Sequence, residues 1–182
     1  LCGIPFVVRP HGADVLPGQA IRRSSRLESR MRRALRAADG VIAQGESLRD
    51  VFLELGVARE RITIINNGVE VAAFAAAEPF PHSRPYVLGL GSLVPHKGFD
   101  LLVEAFARLQ GLPLDLLIAG DGAEAAALTA QATRLGIGDR VRLLGPVTGE
   151  CKASLYRSAA FFVCPSRREP FANVILEALA SG

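Results

Sequence analysis

The stretch Tyr86-Val87-Leu88-Gly89-Leu90-Gly91-Ser92-Leu93-Val94-Pro95-His96-Lys97-Gly98-Phe99-Asp100-Leu101-Leu102 decides how the chain is read. Tyr86 to Gly91 is short, apolar and closed by glycine, as a buried strand is. From Phe99 the period changes, and Leu102, Val103, Phe106 and Leu109 share one face of a helix over 99–109. Strand, glycine-bounded loop and helix make one β–α unit. Repeated, such units build parallel sheets.

The pattern continues outward. Leu114 to Ala119, Val141 to Leu144 and Phe161 to Cys164 read as strands. Ala123 to Leu135, Glu150 to Tyr156 and Asn173 to Ala180 read as helices. Upstream, Ile4 to Val8, Val41 to Ala43 and Ile62 to Ile65 are strand-like. A helix over Arg26 to Ala38 stops at Asp39-Gly40, and a second is expected to start at Ser47 as N-cap and stop at Gly56. Residues 68–85 lack periodicity and carry Pro79, Pro81 and Pro85, as an inter-domain connection does. The expected fold class is therefore α/β, with two doubly wound parallel-sheet domains. Residues 1–75 form the first, 76–85 the linker and 86–182 the second. Ligands bind such sheets at the carboxyl ends of strands, which singles out loops 10–14, 66–68, 91–98 and 164–173.

The 182 residues are 49% hydrophobic and 21% charged, the balance of a globular protein. No apolar run approaches the roughly 18 residues that a spanning helix needs. Three scattered cysteines form no Cys-x-x-Cys pair, which argues against a zinc site and fits a cytoplasmic setting. The chain opens without Met and stops at Ala180-Ser181-Gly182, so it reads as a fragment. Net charge is +3, but seven arginines lie between Arg22 and Arg36. They suit either a solvated helix or a seat on an anionic membrane at the inner face. Nucleic-acid binding is not expected, because the basic residues are not interleaved with aromatics. His82 and His96 read as surface loop residues.

Two segments carry candidate chemistry. In the 91–98 loop, Gly91 and Gly98 let the backbone bend, and Lys97 sits where a helix begins. That combination suits a phosphate, although a tight turn with a solvated lysine has the same sequence. The second segment is Pro165-Ser166-Arg167-Arg168-Glu169-Pro170-Phe171-Ala172-Asn173-Val174-Ile175-Leu176-Glu177. Eight helical steps span about 12 Å, comparable to a sugar nucleotide. Its two carboxylates can hold sugar hydroxyls on either side of a diphosphate, or can be ordinary helix charges.

Glu169-x7-Glu177 within PSRREPFANVILEALASG resembles the E-x7-E signature of glycosyltransferase family 4, a retaining family of GT-B fold. GSLVPHKGFDLL is similar to the family's glycine–lysine loop, ITIINNGVEVAAF to its Asn-Gly-Val segment and RPHGAD to its His-Gly loop. All four come in the family's order.

The resemblance implies two Rossmann-like domains, the second binding a nucleotide-diphosphate sugar. It implies that Glu169 contacts the donor sugar, Glu177 the ribose and Lys97 the diphosphate, while His11 reaches in from the other domain. Gly91, Ser92, Phe171, Ala172, Asn173 and Val174 would line the donor, with Gly120 and Val147 beside the base. Ser92 stands where the family commonly has Arg, so Arg167 or Arg168 is expected to help with the diphosphate. Ala172 stands where Gly is frequent. No Asp-x-Asp pair occurs, so transfer is expected to need no metal. The implied activity is hexosyl transfer to a glycan or lipid-linked acceptor, with retention. An epimerase of the same fold and a non-catalytic nucleotide-binding module are the alternatives.

Overall fold

The computed structural model describes residues 4–10, 15–109, 111–167 and 172–182. The chain divides into two units, Leu1–Asn67 and Gly68–Gly182.

In the first unit, β1 (Val7–Val8), β2 (Gly40–Ala43) and β3 (Ile62–Ile64) form a parallel sheet in the order β1-β2-β3. Helices α1 (Ala20–Arg23) and α2 (Ser25–Ala37) lead from β1 to β2, and α3 (Glu46–Glu54) leads from β2 to β3. Each strand is added on the same side of the last, so right-handed crossovers place these helices on one face. There Leu35, Val41, Ala43, Leu48, Phe52 and Leu55 are buried together. Val7, beside them in β1, is 62% exposed.

Several arginines are spent inside this unit. Arg22 and Arg32 both pair with Glu28, at 3.2 and 2.7 Å. Arg32 and Arg36 donate to the carbonyls of Glu54 and Leu55, at 3.1 and 3.3 Å, tying α2 to the end of α3. The cap of α3 differs from the expected one. Gly45, with φ of 112°, precedes the helix, and Ser47 lies within its first turn. Gly45 takes a backbone angle that a side chain disfavours, and so turns the chain two residues earlier.

The second unit opens with α4 (Val71–Ala75), then β4 (Tyr86–Leu90), a short 3-10 turn (Pro95–Lys97) and α5 (Phe99–Ala107). β5 (Asp115–Ala119), α6 (Ala125–Arg134), β6 (Val141–Gly145), α7 (Gly149–Ser158), β7 (Phe161–Phe162) and α8 (Asn173–Ala180) follow. All pairings are parallel, in the order β6-β5-β4-β7. Alternate residues serve opposite faces. Val87, Leu116 and Ile118 pack with Phe99, Val103, Phe106 and Leu128 of α5 and α6. Tyr86, Leu88 and Leu117 pack with Phe74, Ala153, Leu155 and Tyr156 of α4 and α7.

The stretch from 71 to 85 is less of a connection than its composition suggests. α4 packs on α7 and α8, and Phe74 and Ala77 are buried in the second unit's core. Phe80 N donates to Ser158 Oγ at 2.7 Å. His82 Nε2 lies 2.8 Å from Asp115 Oδ2, and its side chain is 7% exposed, so it is no surface histidine. Its ring meets Tyr86 edge-on at 5.3 Å.

Two predictions follow from this packing. A Cβ on Gly120 would sit 1.8 Å from the Gly91 carbonyl oxygen, at a φ of +139°. Gly120→Ala is expected to cost about 2 kcal/mol or more, whereas Gly68→Ala, with nothing within 4 Å, stays within about 0.5 kcal/mol of wild type; denaturant unfolding measures both. The second concerns pH. Burial pushes the Tyr86 phenol up to about 12, against a smaller pull downward from Ser158. The unfolded chain therefore releases this proton first, at a pH of about 10. Stability is intact below that pH and falls as pH rises toward about 12. Tyr86→Phe should flatten part of that fall in a pH series of unfolding curves.

Candidate functional site

β5 and β6 extend from one edge of β4, and β7 joins the other. The connections therefore part to opposite faces between β4 and β7. A crevice opens there beyond the carboxyl ends of the two strands, where parallel sheets receive ligands.

Three loops meet around this point through backbone contacts. Gly91 N donates to Ala119 O at 3.0 Å, Leu93 N to Asp121 O at 2.8 Å and Glu124 N to Leu93 O at 2.9 Å. A Cβ on Gly122 would come within 2.3 Å of Leu93 O. Gly120 and Gly122 are thus required by neighbouring backbone, whatever else they face. On the β7 side, Gly98 has φ of +69°, and a Cβ there would lie 2.3 Å from Pro165 O. Only glycine lets the turn that carries Lys97 lie so close to the segment after β7.

The Arg167 side chain completes that contact. It holds Asp100, in the first turn of α5, through two bonds of 2.7 and 2.5 Å, and also donates to Pro95 O at 2.8 Å. This ion pair holds the Asp100 carboxyl below the usual carboxylate range. The expected help from Arg167 at a diphosphate is not what the geometry gives, because its guanidinium is committed to Asp100.

Ser92 is exposed just past β4, and Lys97 is half-buried at the end of the 3-10 turn. Val147 packs on the core face shared by Tyr156 and Phe74. Ala172 stands at the N-cap of α8 and offers no side-chain acceptor; Asn173 and Val174 open the helix. A helix start carries a partial positive charge that suits an anion. His11, Arg168, Glu169 and Phe171 lie outside the described residues. Glu177 lies within α8. Its Oε1 accepts from Lys152 Nζ at 2.6 Å and its Oε2 from Tyr156 Oη at 3.1 Å. Burial pushes the Tyr156 hydroxyl well above the usual tyrosine range, and the Glu177 charge adds to the shift. The hydroxyl therefore stays protonated and donates. Each carboxylate oxygen keeps a second lone pair for another donor.

This arrangement has known counterparts. The sequence pattern described as Glycosyl transferases group 1 matches residues 71–182, and that of Glycosyltransferase Family 4 matches residues 1–73. The chain belongs to the glycosyl transferases group 1 family. It is 37% identical over 151 residues to the lipopolysaccharide core biosynthesis glycosyltransferase LpsE of Rhizobium meliloti (strain 1021), covering 81% of this chain and 43% of that protein. It is 31% identical over 205 residues to D-inositol 3-phosphate glycosyltransferase 1 of Catenulispora acidiphila, covering 99% of this chain and 49% of that one. The chain thus spans about half the length of these curated relatives. Among solved structures it superposes on Anabaena HepE in complex with UDP, with a TM-score of 0.80 and 25% identity, over 97% of this chain and 51% of HepE. The fold is of the GT-B class.

Sequence reasoning missed Lys152, Tyr156 and the Asp100–Arg167 pair. Lys152 and Tyr156 are four apart on α7, which puts them on one helix face and was a usable signal. Asp100 and Arg167 are joined only by the strand order.

The Glu177 cluster yields a stability prediction. The side chains of Lys152 and Glu177 are 24% and 16% exposed. Lys152→Met leaves a largely buried carboxylate with one protein donor and should cost about 1–3 kcal/mol. Adding Glu177→Gln should recover part of that loss, so a double-mutant cycle by denaturant unfolding reads non-additive.

Proposed function

We propose that this glycosyltransferase moves a hexosyl unit from a nucleotide-diphosphate sugar to a hydroxyl of a glycan or lipid-linked acceptor, with retention and without a metal. One observation carries the reading: the strand reversal beside β4 brings the Lys97 turn against the segment that leads into Glu169 and α8. Departure of a nucleoside diphosphate needs its growing negative charge met in place. Lys97 supplies a full charge, and the α8 N-terminus, with Ala172, Asn173 and Val174, supplies a partial one. Gly91 and Ser92 flank the phosphates, and Gly120 and Val147 flank the base. Glu177, oriented by Lys152 and Tyr156, accepts from the ribose hydroxyls. Glu169 holds the donor sugar, and His11 is the further contact that the family resemblance implies. HepE binding UDP, as its structure is described, supports a nucleotide donor.

On this reading the departing phosphate oxygen takes the acceptor's proton as the acceptor oxygen attacks from the same face. Transfer then needs no Asp-x-Asp metal clasp, and the sequence contains none.

The protein works in the cytoplasm, with its first unit at the inner membrane face. Arg26, Arg30 and Arg33 lie on one exposed stripe of α2 at spacings of four and three, and among the described residues their side chains make no hydrogen bond. That stripe suits anionic lipid headgroups. Among the described residues no helix is long and apolar enough to cross a membrane.

In a full-length enzyme, Lys97→Met should lower kcat/KM for sugar transfer roughly 100-fold or more. Glu169→Ala should abolish transfer while nucleotide binding stays measurable by calorimetry, and excess EDTA should leave the rate unchanged. Donor breakdown that proceeds equally well without acceptor would point to an epimerase instead.

A further inference from the structure

The segment after β7 and the turn after β4 are joined by more than proximity. Arg167 N donates to His96 O at 2.9 Å, and its Nη1 donates to Pro95 O at 2.8 Å. The guanidinium grips Asp100 with both nitrogens. Gly98 closes on Pro165 O. Pro95, His96, Gly98 and Asp100 are thus all fixed from one short segment, and Lys97 lies in their midst.

We propose that Arg167 and Asp100 form a clamp that fixes where Lys97 stands against the segment after β7. Arg167 is then a positioning residue and not a ligand of the diphosphate. The inference rests on the donor-site reading above.

The two side chains are 42% and 40% exposed. An exposed ion pair contributes little to stability, so thermodynamic support is a poor account of this one. Geometry is a better one. A planar guanidinium can hold a carboxylate with two nitrogens while a carbonyl takes a third contact, and a lysine ammonium cannot reproduce that fork. Each guanidinium nitrogen that contacts Asp100 is thereby engaged. A cavity of about 460 Å³ beside the clamp is lined by Pro95, His96, Asp100, Glu124 and Arg167. Its two carboxylates make it unsuited to a phosphate.

The test uses full-length enzyme and calorimetry with UDP, GDP and ADP, followed by the nucleoside of whichever binds best. A clamp predicts that Asp100→Asn and Arg167→Lys each weaken binding of the diphosphate about tenfold and leave the nucleoside unaffected. In a Lys97→Met background, Asp100→Asn should then add nothing. If Arg167 instead bound phosphate directly, Asp100→Asn would remove a competing anion and leave diphosphate affinity unchanged or higher. That result overturns the clamp and spares the donor site. Wild type binding none of the three diphosphates would overturn the donor site itself, and the clamp with it. Asp100→Asn is nearly isosteric, so it decides the sign even where Arg167→Lys fails to fold.

Discussion

A parallel strand reaches its neighbour only through a crossover, and the crossover helix must bury its apolar stripe on one face of the sheet. In the second unit that constraint decides everything downstream. Two crossovers in succession, through α5 and α6, fill one face and carry the sheet outward from β4. The third returns past the start, places β7 on the free edge of β4 and puts α7 on the other face. The sheet becomes buried on both sides. At the same stroke the loops after β4 and β7 are left facing each other with no strand between them. The glycines at 98, 120 and 122 then allow the backbones to approach to distances that no side chain permits.

The site's chemistry follows from that closeness. Lys97 is carried on a turn fastened at Pro95, His96 and Asp100, and Glu177 is carried on a helix packed against α7. Glu177 meets its surroundings already oriented, since Lys152 and Tyr156 occupy one lone pair on each oxygen. A carboxylate prepared in this way loses little freedom when it accepts further hydrogen bonds, which is the general advantage of a preorganised group.

Most of the framework was legible in the sequence. Strands and helices alternate with clear periods, and the helix over 173–180 was placed to the residue. The linker was misjudged because prolines and alanines look alike in a loose tether and in a docked one. Nothing local announces that Phe74 and Ala77 fill a core or that His82 meets Asp115. The α3 cap was misplaced because a serine is a strong cap by type, while Gly45 acts by conformation. The pairing of Glu169 with Glu177 was legible through the resemblance of four ordered motifs to the family, since the spacing alone also suits ordinary helix charges. The company Glu177 keeps was not, because it depends on how α7 and α8 pack, and packing partners across separate helices leave no periodic trace. The Asp100–Arg167 contact is hidden for the same reason, since it exists only once β7 has taken its place beside β4.

The late arrival of β7 has a consequence during synthesis. On the edge away from β5, Val87 and Leu88 pair with Phe161 and Phe162. At the ribosome's pace of roughly 5–20 residues per second, one edge of β4 stays unsatisfied for about 4–15 s. Through that interval it is a bare strand edge of Val and Leu, open to pairing with any other nascent chain. Gly89 in its middle weakens such mispairing, as a poor strand former does. The crossing that creates the crevice thus also leaves the half-made domain exposed until β7 arrives to close it.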